Sequence, residues 1–377
     1  MTPPNSRRMA GLSLIELMVA LLISTVLTLG LVEVFAASRA AYQMSEGLAR
    51  VQENGRFAMD YLQRDLRMVG HFGCVNDQSH KQQVGAFNVH TGAAAGTPLD
   101  FTRSIQGFEA SGTAPGQTLD LGSPSAGWAP ALPAHLNALN PLPGSDIVML
   151  RFLRSTGAPV TNIVASGSST TVTVDTDDWR NLTDDGVANP DVFGVADCSF
   201  VDVFTGAGNS GAGTATAGVA IDRYTPHPSG QAALYRGEAV AYYVAPGASG
   251  RPALWRARWN AAGVPQPEEL VEGIESLQLL YGQDQSADVT RPTGYIANQD
   301  TAATLGSAAG TAGEEAWRRV GLVQVAVVAS SVNPATAETA VAAGPYALGV
   351  EVEGPDDARY RTTYESTVAL RNRLYGN

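Results

Sequence analysis

The sequence predicts an α+β protein: a long N-terminal helix, apolar at first and amphipathic later, carrying a C-terminal β-rich head of antiparallel sheet. Three observations predict it. No proline interrupts Leu12 to Gly70, and the first half of that stretch is almost uncharged. From Gly85 to Gly237 short β-branched runs alternate with Gly, Pro, Ser and Thr. From Glu238 onward the runs lengthen and the connections shorten.

Composition narrows the class of function. With 44% hydrophobic residues over 377 positions, the chain has material for a substantial core. A net charge of -12 and a pI of about 4.8 argue against nucleic acid as a partner, because phosphate contacts need clustered Lys and Arg. Cys74 and Cys198 stand outside any CxxC or Cys/His cluster. They suit one disulfide in an oxidising compartment better than a zinc site.

The first element is the apolar one. Between Leu12 and Ala37 the only charges are Glu16 and Glu33, and Leu17 to Val32 carries none. As a helix this stretch reaches about 39 Å, beyond the roughly 30 Å of a bilayer core. Arg7 and Arg8 precede it, which directs the N-terminus to the cytoplasm and the bulk of the chain outward. Glu16 is the anomaly, since a lone carboxylate inside hydrocarbon costs at least about 2.5 kcal/mol. A cleaved secretory signal peptide ending near Val34 to Ala37, or a plain single-span anchor, leaves that charge without a partner. A cut between Gly11 and Leu12 supplies one. Leu12 then bears an α-amino cation one helical turn from Glu16. In a bundle of staggered parallel helices each Glu16 can meet the amine of a neighbouring subunit, and the paired charges offset much of their desolvation.

The stretch GLSLIELMVALLI resembles the type IV prepilin signature, a short basic leader ending in Gly and a mature chain with Glu at its fifth residue. The resemblance implies that a prepilin peptidase cleaves between Gly11 and Leu12 and methylates the new amine of Leu12. Glu16 would then set register in the assembly. Leu12 stands where that family more often has Phe or Met. The expected organisation is a leader over 1–11, a transmembrane and filament-core half of the helix over 12–37, and its amphipathic half over 38–73. A loop-rich β region over 74–237 and an antiparallel sheet over 238–377 follow.

Beyond Phe35, the positions Ala41, Met44, Leu48, Val51, Gly55, Ala58, Leu62, Leu66 and Val69 recur at three- and four-residue spacing. They make one stripe of a helix that packs on the head. Arg56 with Asp60, and Asp60 with Arg64, sit at i,i+4 on the opposite side. Gly70 ends the helix. In the head, 145–153, 169–176 and 198–204 read as strands, and 238–245 pairs with the following ALWRARW across PGASGRP. GAGNSGAGTATAG reads as a low-complexity loop. Its GxGxxG, at Gly206, Gly208 and Gly211, lacks the helix that a dinucleotide site requires. EELVEGIESLQLLYGQD, VGLVQVAVVASSV and RYRTTYESTVALRNRLYGN read as further antiparallel strands.

These pieces carry a second resemblance. DYLQRDLRMVGHFGC after the stalk, then YYV, LWRAR, ELVEGIESLQLLYG and the terminal TTYESTVALRNRL, are similar in this order to the PilW-type minor pilins of the type IV pilus. The resemblance implies a non-enzymatic subunit that joins other minor pilins and the major pilin in a complex that primes assembly and sits at the tip. A PilY-type adhesin is a further implied partner. It also implies an inner-membrane protein with its head in the periplasm before assembly, and a place on the pilus at the cell surface afterwards. A periplasmic address makes Cys74 and Cys198 a disulfide. A J-type pseudopilin of a type II secretion system and a secreted surface- or sugar-binding protein are the alternative readings.

Chemistry is sparse. His71, His80, His90, His135 and His227 show no metal-ligand spacing and read as polar loop residues. No GxSxG elbow is present. The acidic stretches 175–186 and 282–290 lack the spacing of a calcium loop and read as solvated turns. No catalytic residue, cofactor or metal is expected.

Overall fold

The computed structural model describes residues 13–74, 83–286, 288, 292–306, 311–334 and 344–374. Helix α1 (Leu14–Met68, 55 residues) is a single rod, about 82 Å long at the α-helical rise. It starts in a capping box: Ser13 N donates to Glu16 Oε2 (3.0 Å) and Glu16 N donates to Ser13 Oγ (3.3 Å). The hydroxyls of Thr25 and Thr28 donate back to the carbonyls of Leu21, Leu22 and Ser24, so both are satisfied within the apolar half. The helix stops at Val69, and Gly70 takes a left-handed φ of 78° that turns the chain away.

Burial divides the rod. Apolar side chains from Leu14 to Phe35 are exposed, and burial begins at Gly47. The head covers the stripe from Val51 to Val69, whereas Ala41 and Met44 stay exposed. The i,i+4 pairs expected of Arg56, Asp60 and Arg64 give way to other contacts. Arg64 turns to Asp65 (3.4 Å) and Asp185 (3.3 Å), and Arg56 lies over the Phe57 ring. Carboxylates at the less hydrated junction with the head attract a guanidinium more strongly than exposed Asp60 does.

The head begins with β1 (Phe87–His90), β2 (Ile105–Ala110), β3 (Thr118–Asp120) and β4 (Trp128–Ala129). After the short helix α2 (Ala134–Asn137) come β5 (Ile147–Leu153), β6 (Ala158–Ser166) and β7 (Ser169–Val174). A 3-10 turn (Asp178–Leu182) leads to β8 (Val192–Ala196), β9 (Val201–Asn209), β10 (Thr214–Ala217), β11 (Ala233–Pro246), β12 (Pro252–Trp259) and β13 (Pro265–Glu272). Next are β14 (Ile274–Asp284), β15 (Ile296–Asp300), α3 (Ala302–Gly306) and α4 (Thr311–Arg318). The chain closes with β16 (Val320–Ser330), β17 (Tyr346–Ala347), β18 (Val350–Glu353), β19 (Arg361–Ala369) and α5 (Arg371–Leu374).

Among the described residues twelve strands make one large sheet, with main order β1-β9-β10-β7-β6-β11-β5-β2-β4 and with β8, β12 and β13 joined to it. A second sheet runs β15-β14-β16-β19, and a third runs β17-β18-β3. Pairing is antiparallel except for β1 with β9 and β18 with β3. Strand β11 crosses residue 237 and pairs with β5, β6, β8 and β12, so the two parts of the head share it. Its burial on both faces explains why EAVAYYVA is a nearly continuous apolar run. The covered half of α1 lies between the sheets. Val51, Leu62 and Leu66 share one core with Tyr242 and Leu254 of the large sheet and Val325 of the second.

The expected low-complexity loop is instead a hairpin, with β9 and β10 paired from Gly206↔Ala217 to Asn209↔Thr214. Its small residues allow close packing. A Cβ at Gly206 would lie 2.1 Å from Thr216 O, and Ala215 and Ala217 are buried. Glycine and alanine are poor strand formers by propensity, so packing decides here.

Candidate assembly site

The exposed half of α1 is a largely apolar surface that no other described residue covers. Leu14, Leu22, Leu31 and Phe35 are between 66% and 76% exposed. Fully burying a side chain of this kind is worth about 1.5–3 kcal/mol, so the rod is driven into lipid or against other helices. By length and composition α1 can cross a membrane. Glu16 sits exposed at its start and caps the helix through Ser13. Gly11 and Leu12, the expected cleavage and methylation positions, lie outside the described residues.

The covered half of α1 is fastened to the head by an ionic clasp. Asp65, 1% exposed, accepts from Tyr242 Oη (2.7 Å) and faces Arg256 Nη1 (3.6 Å). Asp185 accepts from Arg256 (3.0 Å) and Arg258 (3.0 Å) of β12 and from Arg64 (3.3 Å) of α1. Arg258 continues to Glu238 (2.8 Å) on β11, Glu238 to Arg236 (2.9 Å), and Arg236 to Asp184 (2.8 Å). Arg154 also reaches Asp184 (2.6 Å), and Glu268 takes the remaining arm of Arg256 (2.9 Å). Every arginine in the chain of contacts finds a carboxylate, which is what buried guanidiniums require. Burial works against the charge on Asp185, but Arg256, Arg64 and Arg258 outweigh it and hold the carboxyl below its ordinary range. Burial, reinforced by the Asp65 charge, pushes the Tyr242 phenol well up, so it stays a donor.

Two further ties secure the middle of the head. Cys74 and Cys198 form a disulfide with Cα atoms 4.8 Å apart, closing a separation of 124 residues between the stalk exit and the β8–β9 turn. Closing a loop of that size stabilises by up to about 4–5 kcal/mol in the chain-entropy model. Nearby, buried Asp202 on β9 accepts from Asn88 Nδ2 (3.2 Å), Arg223 Nε (2.6 Å) and Tyr224 Oη (2.7 Å), with His90 Nε2 at 2.6 Å.

Several polar residues therefore depart from expectation. His90 is a strand residue on Asp202 rather than a loop residue. His71 is half-buried with Nδ1 2.8 Å from Leu153 O. His135 lies on α2, edge-on to Trp259 at 5.8 Å; burial, with Arg151 nearby, lowers its pKa to about 4. His80 lies outside the described residues. The stretch 175–186 is no plain solvated turn, since Trp179 and Leu182 are buried and Asp184 and Asp185 belong to the clasp. Asp284 accepts from Ser286 N (2.8 Å) and Gly294 N (2.5 Å) of its own loop. Among the described residues no three His, Cys, Asp or Glu side chains are grouped to hold a metal.

An uncovered apolar rod continuous with a helix clasped into a β-rich head is built to lie in lipid or pack against other helices while the head stands apart. Residues 6–32 match the prokaryotic N-terminal methylation motif, which fits a membrane-anchored pilin. Residues 241–372, from β11 to the terminal helix, match the family described as type IV pilus-assembly protein W. Together the two matches support a PilW-type type IV pilin, a structural subunit related to the type IV pilus. The search of curated proteins and that of solved structures found no match.

Proposed function

We propose that this protein is a minor pilin that takes part in initiating type IV pilus assembly, within a priming complex that remains at the tip. The observation that carries the reading is the division of α1. One half is fixed in the head, and the other offers neighbours a surface that is largely apolar and carries Glu16 near its start. Before assembly the rod lies in the inner membrane with the head in the periplasm. A prepilin peptidase removes residues 1–11 and methylates Leu12. In the assembly Glu16 meets the methylated amine of an adjacent subunit, exchanging part of its capping bond to Ser13 for a stronger charged partner. The head selects the partners, which are other minor pilins, the major pilin and a PilY-type tip adhesin.

Mass spectrometry of the mature N-terminus tests the processing: N-methyl-Leu12 is expected, and a chain beginning at Ala37 or Ser38 refutes it. Glu16→Ala should leave leader removal intact and reduce recovery of the protein in sheared pili at least tenfold. Undiminished recovery removes the pairing role.

A further inference from the structure

The large and second sheets meet along a seam built on an acid. Residues 144–146 run beside β14. Asp146 N donates to Leu277 O (2.8 Å), Leu277 N donates to Ser145 Oγ (3.0 Å), and Ser276 Oγ donates to Gly144 O (2.9 Å). The Asp146 carboxylate then bridges the sheets. Its Oδ1 accepts from Ala110 N at the end of β2 (2.8 Å), and its Oδ2 accepts from Leu279 N of β14 (2.9 Å).

Opposite Asp146 stands a second acid. The β2–β5 register pairs Phe108 with Ile147, which sets Glu109 across from Asp146. The two are 5% and 2% exposed. Thr113 Oγ1 lies 3.5 Å from Glu109 Oε1 and the Ala302 amide also faces the carboxyl, while Glu109 Oε2 has no hydrogen-bond partner among the described residues. On the same face of β2, Gly107 leaves room for Tyr281 of β14: a Cβ there would lie 2.1 Å from the phenol oxygen. That hydroxyl is buried and has no partner among the described residues either. The Tyr281 ring meets Trp317 of α4 edge-on at 5.0 Å.

No cation serves this site among the described residues. What faces the pair is Thr113, Tyr281 and the amide of Ala302. Helix α3 has no ionisable side chain, and Glu314 on α4 is paired with Arg103 (3.4 Å). Asp146 is suited to remain the acceptor, since both its oxygens hold amides. Glu109 has the free oxygen on which a proton can sit.

We propose that a proton on Glu109 locks the seam between the two sheets, and that its loss frees β14 from β2 and β5, giving the head a pH-sensitive joint. Burial pushes both carboxyls above the ordinary carboxylate range, and the Asp146 charge raises Glu109 further. The folded state then binds more protons than the unfolded chain. The stabilisation is complete below the unfolded carboxyl pKa of about 4 and declines as pH rises through the higher folded values.

Hydrogen–deuterium exchange on the full chain in detergent at pH 6 and pH 9, corrected for intrinsic rates, tests the joint. Peptides covering 107–110 and 277–281 should lose protection at least tenfold at pH 9, whereas the helix segment 62–66 keeps its protection. Glu109→Gln should abolish the difference. Equal protection of the seam at both pH values overturns the proposal, and so does an equal loss over 62–66, which marks general charge repulsion. A pH-dependent loss that persists in Glu109→Gln also overturns it. If the variant does not fold, the two unmutated profiles decide alone.

Discussion

Asp185 takes guanidiniums from Arg64, Arg256 and Arg258 onto one carboxylate, and it does so at a left-handed φ of 54°. Asn tolerates that backbone as well as Asp does, so Asp185→Asn removes the charge with little strain. Arg256, only 3% exposed on its side chain, would keep Asp65 and Glu268 but lose its nearest shared anion. A loss of about 2–3 kcal/mol at pH 7 is expected, below the cost of breaking a fully buried pair because Asp185 remains partly hydrated. The folded carboxyl lies below its ordinary range. Its contribution is therefore full above the unfolded pKa of about 3.9 and is lost as pH falls through the folded value. Denaturant melts of both forms from pH 7 to pH 3 should converge at the acid end; parallel curves count against the clasp. Only part of this was legible in the sequence. Asp65 falls on the apolar stripe seven residues after Ala58, and an acid on a buried face signals a cation opposite it. Which arginines answer depends on β12 meeting α1, a tertiary pairing that no local pattern contains.

The long helix was the most legible element, because an unbroken period without proline fixes both type and length. The structure runs Leu14–Met68 within the Leu12 to Gly70 that the pattern predicts, Leu12 itself lying outside the described residues. Periodicity alone does not say what covers a stripe, so exposed Ala41 and Met44 read like buried Val51 and Ala58. The β9–β10 hairpin was illegible for the opposite reason: its Gly, Ala and Thr residues look like a linker until close packing with β7 is seen. The cysteines were legible from compartment logic, and the bridge they form fastens the stalk exit to the β8–β9 turn. Cys74→Ser should leave Cys198 reactive toward a maleimide in the native protein, which without the change has no reactive thiol. It should also lower stability by about 2–5 kcal/mol. A native thiol count above zero before mutation contradicts the bridge.

At the scale of the whole molecule the head's core is built without the apolar rod. Burial along α1 starts at Gly47, and among the described residues no core cluster contains a residue before Val51. The rod's exposed side chains gain their free energy only in lipid or against other helices. A chain beginning at Ala37 would keep every clasp residue, the disulfide and all three sheets. It would lose the Ser13–Glu16 capping box but place Ser38 where a new N-cap can form. The expected outcome is a protein that is monomeric in buffer without detergent and melts within about 1 kcal/mol of the full chain measured in detergent, since only exposed turns of helix are removed. Sedimentation and thermal melting of the two forms check this. A shortened chain that fails to fold would mean that the rod supports the head, and the division of α1 into an anchored half and an offered half would fall with it.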